Sequence, residues 1–345
     1  MRIEENVLLS TLTTFRTGGP ARFLIFLESK SEIPDAVLFA RGKNLPLIAI
    51  GSGSNMLAPD EGMDAVFIKY LPARISARVD GARAVLSVEA GCIWDSLVEE
   101  AAKNGWWGVE NLSAIPGTVG AAVVQNIGAY GASLADTLID VTAYDTKEGI
   151  EKKIPKEACA FGYRTSVFKH DADRYLVTDV SFALSTLPRP NIAYRDLKNH
   201  FEKNQEEATL RNIRSAVTTI RAGKFPPLTK FGTAGSFFLN PIIAENAVPL
   251  VKKTYPDMPL FEMPEGGVKV PLAWIFDHVM HLKGKRVGGA FVWDKQPLVL
   301  AAESGATAKD VYALAKEIVS DFVLKTDIHI TPEVRILGRT KNIFG

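Results

Sequence analysis

Three polar residues on loop-like segments could take part in catalysis. Ser236 lies in AGSFFLNP, Arg164 in FGYRTS, and Glu333 in ITPEVRILG, which also contains Arg335. A serine acts in catalysis only beside a suitable partner, and these charged residues are the candidates. Each is equally compatible with an ordinary surface position, where most Ser, Arg and Glu side chains lie. No Ser-His-Asp arrangement or nucleophile elbow is recognisable, which disfavours serine hydrolysis.

Two glycine-rich runs could bind an anionic ligand through their backbone. GSGSN covers residues 51–55 and follows a predicted buried strand, and IPGTVGAAVVQNIGAYG covers residues 115–131. Neither matches the dinucleotide fingerprint or a P-loop, and tight structural loops are the alternative. Oriented backbone N–H groups can hold a pyrophosphate without a lysine. The two runs therefore favour an extended cofactor in a different fold.

Two further clusters are weaker candidates. Asp277, His278 and His281 have helical spacing, but no third zinc ligand is evident nearby, so no metal site is predicted. The basic run LKGKR contains Lys283 and suits phosphate, although such runs are usually solvated.

Composition indicates a globular protein of several domains. The chain has 345 residues, a hydrophobic content of 47% and a formal net charge of +1. This charge gives no global field for nucleic acid or an anionic membrane, so neither is expected as a partner. The two cysteines form no CxxC pair, and residues 1–19 lack the basic start and apolar run of a secretion signal. A reduced, cytoplasmic protein is predicted.

The elements that must position these residues are a mixture of hairpins and helices. The N-terminal half predicts strands in ARFLIFLES, LPLIAIGSGSN and DAVFIKY, and a helix in SEIPDAVLFARGKN with Ser31 as its N-cap. Next come a hairpin turning at Asp80-Gly81 and a helix, IWDSLVEEAAKNG, whose buried face holds Ile93, Trp94, Leu97, Val98 and Ala101.

The C-terminal half continues this α+β pattern. A second hairpin is predicted in LIDVTAYDTKEGIEKKIP, and a strand in RYLVTDVSFALS. A helix from Asn204 to Ala222 precedes a long loop at residues 223–241, and the chain ends with a helix, DVYALAKEIVSDFVLKT, and a strand, DIHITPEVRILG.

Six ordered motifs resemble the UDP-N-acetylenolpyruvoylglucosamine reductase (MurB) family over nearly the whole chain. They are RTGG, GSGSN, IPGTVGAAVVQNIGAYG, FGYRTSVFK, AGSFFLNP and PEVRILG. The segment IAYRDL, with Tyr194, is similar to the long-type subclass with its tyrosine loop.

The resemblance implies a two-part FAD-binding domain of the vanillyl-alcohol-oxidase (PCMH) type plus an α/β substrate-binding domain. The implied segments are residues 1–68 and 69–223 for the two FAD-binding subdomains, 224–330 for the substrate domain, and 331–345 for a C-terminal strand and tail. It further implies non-covalent FAD, contacted by Gly51, Ser52, Gly53, Ser54, Asn55, Ile115, Pro116, Gly117, Gly120, Gln125, Asn126, Gly128, Ala129, Tyr130, Arg221 and Arg335.

The implied reaction is reduction of UDP-N-acetylglucosamine enolpyruvate to UDP-N-acetylmuramate by NADPH, in peptidoglycan precursor synthesis. Hydride would pass from flavin N5 to the enolpyruvyl CH2 carbon, and Ser236 would give a proton to the adjacent carbon. Arg164 and Glu333 would act on the charge that develops there. The implied substrate contacts are Tyr194, Lys224, Asn240 and Lys283. A monomer is predicted.

Two departures and two alternatives accompany the resemblance. Leu239 stands where some relatives have lysine, and Phe261 falls where long-type members often have a substrate-binding tyrosine. One alternative is a flavin-dependent sugar or alcohol oxidase of the same superfamily. The other is a UDP-sugar binding protein without catalysis.

Overall fold

The computed structural model describes residues 1–263 and 265–338. The α-helices are α1 (Ile33–Gly42), α2 (Trp94–Lys103), α3 (Val119–Gln125), α4 (Val167–His170), α5 (Arg195–Asn204), α6 (Leu210–Lys224), α7 (Val248–Thr254), α8 (Leu272–His278) and α9 (Ala308–Thr326). Among the described residues, no helix combines the length and hydropathy needed to cross a membrane.

The strands alternate with these helices along the whole chain. In the first half they are β1 (Arg2–Leu8), β2 (Pro20–Leu27), β3 (Leu47–Ala49), β4 (Met56–Leu57), β5 (Met63–Tyr70), β6 (Ile75–Asp80), β7 (Arg83–Glu89), β8 (Gly128–Ala129), β9 (Ala132–Ser133), β10 (Leu138–Asp145) and β11 (Ile150–Pro155). In the second half they are β12 (Tyr175–Ser185), β13 (Gly232–Ser236), β14 (Ile242–Ile243), β15 (Phe261–Glu262), β16 (Val268–Lys269), β17 (Arg286–Val287), β18 (Ala290–Val292), β19 (Val299–Ala302) and β20 (Arg335–Ile336).

The chain divides into two compact units that interleave in sequence. Unit 1 contains residues 1–7, 21–52 and 64–223, and unit 2 contains residues 8–20, 53–63 and the chain from Lys224 onward. The boundary passes through GSGSN, between Ser52 and Gly53. The four-segment division implied by the resemblance stays a prediction, and residues 339–345 of its last segment lie outside the described residues.

Unit 1 contains two larger sheets besides the short pair β8-β9. One has the strand order β1-β2-β5-β3, and the other has the order β11-β10-β12-β7-β6 and is antiparallel throughout. Every second residue of β12 is buried, which is the period expected of a strand with one face on a core. Helix α2 packs Trp94, Leu97, Val98 and Ala101 into that core, as predicted from their spacing.

Unit 2 is organised around the sheet β13-β19-β18-β17 and helix α9. Helix α9 begins with a capping box between Thr307 and Asp310 and ends where Asp327 takes a left-handed φ of 55°. Its apolar face joins the phenylalanines Phe237, Phe238 and Phe276 in one core cluster.

Helix boundaries are the first group of local predictions that the structure corrects. The N-cap residue of α1 is Glu32, not Ser31, and the capping box of Ser29 and Glu32 belongs to the short 3-10 helix Lys30–Glu32 that precedes α1. Ile93 is the N-cap residue of α2 and is 49% exposed, so it does not share the buried face. The helix predicted from Asn204 to Ala222 starts later than predicted: Asn204 is the last residue of α5, which ends because Gln205 takes a left-handed φ of 52°, and α6 begins at Leu210.

Strand extents are the second group of corrections. The loop predicted at residues 223–241 contains β13, and only Arg335–Ile336 of the predicted last strand is strand. The first hairpin forms, but Asp80 pairs with Arg83, so its two-residue turn is Gly81-Ala82, one residue later than predicted.

A buried carboxylate closes the turn between β10 and β11. The Asp145 side chain is 0% exposed and accepts hydrogen bonds from Arg174 (2.7 and 2.9 Å) and Lys152 (2.9 Å). The Arg174 guanidinium, against the effect of burial, holds the pKa of Asp145 well below its usual range. Because the pKa is depressed on folding, the ionised form stabilises the fold above the unfolded pKa of about 4.

Replacing Asp145 by Asn is therefore expected to lower the free energy of unfolding at pH 7 by about 2 kcal/mol, since charge-assisted hydrogen bonds are lost. The deficit should shrink as the pH falls below about 4, where wild-type protein loses the same contribution. Urea unfolding at pH 7 and pH 3.5 measures both effects. Glu148→Gln is the matched control, because Glu148 pairs with the same Lys152 and Arg174 but is 48% exposed. Equal losses in the two variants would contradict this account.

Candidate active site

The two predicted ligand loops of unit 1 touch through a glycine. A Cβ atom on Gly51 would lie 2.6 Å from Thr118 Oγ1 and 3.2 Å from Ala121 Cβ, at the start of α3. A Cβ on Gly120 would lie 2.9 Å from Ala90 Cβ. Part of the glycine content is therefore explained by close packing of protein on protein. The same packing brings Gly51-Ser52 beside the IPGTVG segment.

Backbone donors of these loops remain available after folding. Within the described residues, the N–H groups of Gly51, Ser52, Ile115 and Gly117 donate to no backbone carbonyl. Gly117 is itself buried. Buried N–H groups are nearly always hydrogen-bonded, so these donors are suited to an anionic ligand.

Left-handed backbone conformations concentrate around this segment. Eleven non-glycine residues of the described chain have positive φ. Of these, Asn126 and Tyr130 lie in the glycine-rich segment, Ala114 directly precedes it, and Arg164 is hydrogen-bonded to it. Such conformations are disfavoured for residues with a Cβ and persist where the surroundings enforce them. Their clustering marks the segment as a candidate functional site.

Hydrogen bonds hold these strained residues in place. The Asn126 side chain donates to the Gly162 carbonyl (2.9 Å) and accepts from the Ala135 N–H (3.2 Å). The Asn111 amide donates to the Tyr130 carbonyl (2.7 Å), while its buried Oδ1 has no partner among the described residues.

The structure places Arg164 on the glycine-rich run. Its φ is 55°, and its guanidinium donates to the Gly128 carbonyl at 2.6 Å. Lys169 Nζ donates to the Arg164 carbonyl and to Gln125 Oε1, both at 3.0 Å, and so joins the two motifs. Lys169 belongs to the FGYRTSVFK motif, but it was not among the residues predicted to form the site.

An aromatic pair and a second arginine extend the same cluster. Tyr130 and Tyr194 meet edge to face with ring centroids 5.4 Å apart. Burial raises the pKa of Tyr130 to about 12, although nearby Arg221 acts in the opposite direction. Arg221 Nε donates to the Ala114 carbonyl at 3.2 Å, and burial lowers the pKa of Arg221. Unit 1 therefore brings together the predicted residues Gly51, Ser52, Ile115–Tyr130, Arg164, Tyr194 and Arg221.

In unit 2, a strand irregularity sets the direction of Ser236. Strand β13 pairs with β19, and its register shifts between Thr233 and Ser236. Thr233 Oγ1 bonds the Leu300 carbonyl (2.8 Å) and accepts the Gly235 N–H (3.2 Å), which fixes the irregular turn. Such bulges commonly redirect a side chain next to an active site.

Glu333 lies on the segment that pairs with the chain just after Ser236. Its N–H donates to the Phe237 carbonyl at 2.8 Å, and the Leu239 N–H donates to the Thr331 carbonyl at 3.0 Å. Phe237 and Phe238 are buried in the unit 2 core, which anchors this pairing. Ser236 and Glu333 are thus held on adjacent backbone segments.

Asn55 connects this pair to the end of GSGSN. The Asn55 amide donates to the Glu333 carbonyl (3.1 Å), and its own carbonyl accepts the Arg335 N–H (3.0 Å). Strand β20, which contains Arg335, then runs parallel to β4. Unit 2 therefore joins the predicted residues Asn55, Ser236, Glu333 and Arg335.

The predicted substrate residues of unit 2 have protein partners. Asn240 Oδ1 accepts the Leu272 N–H (2.9 Å), and Lys283 forms an ion pair with Asp277 (2.7 Å). Lys224 is the last residue of α6. Their binding roles stay predictions.

The histidine cluster considered as a metal site makes other contacts. His278 stacks on Trp274 and lies within hydrogen-bond distance of the Trp274 carbonyl, while Asp277 pairs with Lys283. Within residues 1–263 and 265–338, no group of three or more His, Cys, Asp or Glu side chains could hold a metal ion.

Models of two protein families match the chain. A family model described as an FAD binding domain matches residues 21–152, which include both glycine-rich runs. The model of the UDP-N-acetylenolpyruvoylglucosamine reductase C-terminal domain matches residues 226–337, which include Ser236 and Glu333.

Individual relatives cover nearly the whole chain. Proteins named UDP-N-acetylenolpyruvoylglucosamine reductase from Pseudomonas aeruginosa and Neisseria gonorrhoeae are 34% and 38% identical, covering 96% and 90% of this chain and 98% and 90% of their own lengths. The crystal structure of the reductase (MurB) from Thermus caldophilus has a TM-score of 0.69 at 26% identity, covering 97% of this chain and 99% of its own. The expected α+β fold with an FAD-binding part is confirmed. This chain belongs to the UDP-N-acetylenolpyruvoylglucosamine reductase (MurB) family and is an FAD-dependent oxidoreductase.

Proposed function

We propose that this protein reduces UDP-N-acetylglucosamine enolpyruvate to UDP-N-acetylmuramate with electrons from NADPH, a step of peptidoglycan precursor synthesis. The observation that carries the proposal is the identity of 34% or more to reductases of that name over nearly their full length. The cytoplasmic location and the monomeric state expected from the sequence remain predictions.

The residues present fit FAD, which we propose is bound non-covalently. In unit 1, the N–H groups of the two glycine loops that donate to no backbone carbonyl of the described residues suit its pyrophosphate. When bound, FAD supplies the transfer of hydride from NADPH to the enolpyruvyl CH2 carbon. The proposed contacts in unit 1 are Gly51, Ser52, Ile115, Pro116, Gly117, Gly120, Gln125, Asn126, Gly128, Ala129, Tyr130 and Arg221, and those in unit 2 are Gly53, Ser54, Asn55 and Arg335.

Substrate binding requires local cations, because the net charge of the chain is only +1. We assign Lys283 and Lys224 to the anionic parts of the substrate, and Asn240 and Tyr194 to its polar groups. Lys283 would exchange part of its contact with Asp277 for a phosphate, which costs little because both side chains are about 40% exposed.

Arg164 and Glu333 act on the charge that forms next to the substrate carboxylate. Addition at the CH2 carbon leaves negative charge on the neighbouring carbon, delocalised into the carboxylate. Arg164 is held in place by its bond to Gly128, so its guanidinium needs little reorganisation to stabilise that charge. Glu333 acts on the same charge through a proton or a water.

Ser236 completes the reaction by giving its Oγ proton to the carbanionic carbon. A hydroxyl is a weak acid, but a carbanion is a base strong enough to take its proton. The resulting alkoxide regains a proton from water. The bulge before Ser236 supports this role, because it fixes the direction of the hydroxyl.

The proposed activity is tested with purified wild-type protein in an anaerobic cuvette. The visible absorption of bound FAD should bleach when NADPH is added and return when the enolpyruvyl substrate follows. Bleaching without recovery would contradict the proposed substrate. No recovery with the enolpyruvyl substrate, together with rapid recovery when air is admitted, would instead favour an oxidase.

Replacement of Ser236 by Ala should leave flavin reduction by NADPH unchanged and slow reoxidation by substrate about 10²–10⁴-fold, the usual contribution of general acid catalysis. Stopped-flow absorbance separates the two half-reactions. Ser320→Ala, at an exposed serine of α9 in the same unit, is the control. Equal loss in both half-reactions would rule out the proton-donor role.

Replacement of Arg164 by Lys keeps the charge but loses the planar hydrogen-bonding group. Reoxidation by substrate should slow about 10²-fold, as for loss of one donor to a developing anion, while reduction by NADPH is kept. The comparison variant is Arg78→Lys, an exposed arginine of β6 in unit 1. A rise in the KM for substrate at unchanged kcat would show that Arg164 binds the ground state and the transition state equally, which would contradict its catalytic role.

A further inference from the structure

The peptide at Ala114 is bonded on both sides, directly before the IPGTVG segment. Its N–H donates to Asp95 Oδ1 at 2.6 Å, and its carbonyl accepts from Arg221 Nε at 3.2 Å. Ala114 has a φ of 56°, which an alanine adopts only under constraint from its surroundings. These two bonds are the constraint, and they determine the direction in which the chain enters Ile115.

Asp95 is in turn fixed by an arginine from another helix. Asp95 lies in the first turn of α2, and its two carboxylate oxygens accept from Arg214 of α6 at 2.7 and 2.9 Å. A bidentate pair of this kind sets the plane of the carboxylate as well as its position. The Asp95 side chain is 36% exposed and that of Arg214 is 20% exposed, so the pair is partly shielded from water.

The lowered pKa of the Asp95 carboxyl agrees with these hydrogen bonds. Burial would raise the pKa of Asp95, but the Arg214 guanidinium and the Ala114 N–H outweigh burial and lower it. Asp95 is therefore ionised at neutral pH, and it accepts three hydrogen bonds at once.

We propose that Asp95 and Arg214 are positioning residues, which hold Ala114 in its left-handed conformation and thereby preset the Ile115–Gly117 loop for FAD. The inference rests on the proposed function, in which this loop contacts the cofactor. Neither side chain needs to touch FAD. A loop that samples other conformations binds the cofactor more weakly in proportion to the fraction of time it spends in the competent one.

The competing explanation is that the pair only fastens α6 to α2. The two explanations differ in whether FAD binding depends on the acceptor for the Ala114 N–H. Exchanging the partners, Asp95→Arg with Arg214→Asp, restores an ion pair between the helices but leaves an arginine, which has no acceptor, next to Ala114. The exchange therefore separates the two explanations.

The test measures the FAD dissociation constant, the visible circular dichroism of bound flavin and the melting temperature in the full chain. Asp95→Ala should raise the dissociation constant about tenfold and change the flavin dichroism, as expected when the competent loop is populated about one-tenth of the time. Asp95→Asn keeps an acceptor oxygen, so its FAD dissociation constant should lie between those of the alanine variant and the wild type. This variant provides the test if the alanine variant does not fold. The exchanged pair should recover melting temperature but not FAD affinity.

Glu99→Gln is the matched control, because Glu99 lies one turn further along α2 and its ion pair with Lys103 is exposed to solvent. It should leave all three measurements unchanged. Recovery of both stability and FAD affinity in the exchanged pair would overturn the inference, as would an Asp95→Ala effect confined to melting temperature.

Ile115→Ala distinguishes failure of this inference from failure of the proposed function. If this variant keeps wild-type FAD affinity and dichroism, the assignment of the loop to FAD is wrong, and the positioning inference fails with it. If Ile115→Ala changes both properties but the Asp95 variants change neither, the loop assignment stands and only the positioning inference is wrong.

Discussion

The backbone pairing between residues 237–239 and 331–333 is the interaction on which the proposed chemistry of unit 2 depends. The bond from the Glu333 N–H to the Phe237 carbonyl (2.8 Å) joins the residues just after β13 to the C-terminal segment. Phe237 and Phe238 are both buried in the core of unit 2, which anchors this pairing. The backbone that carries the hydroxyl and the carboxylate is thus positioned by the hydrophobic core.

Unit 1 has a different requirement: it must keep a loop in backbone conformations that its residues disfavour. Ala114, Asn126, Tyr130 and Arg164 all have left-handed backbones, and side-chain amides, a carboxylate and two arginines bond the carbonyls and N–H groups around them. Under the proposed function, a nearly neutral chain would in this way present fixed donors to an anionic cofactor and to a developing carbanion. The stabilising charge would be local and preorganised, which is the arrangement that electrostatic catalysis requires.

Local sequence patterns predicted the helices and strands, but they could not predict contacts between residues that are far apart in the chain. The antiparallel hairpins and the buried face of α2 followed from periods of two and 3.6 residues. Helix α5 was missed because it is strongly polar and buries only Leu197 and Phe201. The bonds of Asp95 to Arg214 and of Glu333 to Phe237 join segments far apart in the chain, so no local pattern contains them. Residue type and spacing indicated Ser236, Arg164, Glu333 and the two glycine-rich runs as candidates, but their individual roles followed only from resemblance to a family.

The central claim is that the substrate receives hydride at its CH2 carbon and a solvent-exchangeable proton, delivered by Ser236, at the adjacent carbon. The most direct measurement is the NMR spectrum of the product formed from unlabelled NADPH in D2O. The account predicts one deuterium on the carbon next to the carboxylate, in a single configuration. Absence of deuterium from that carbon, or a mixture of configurations there, would contradict it.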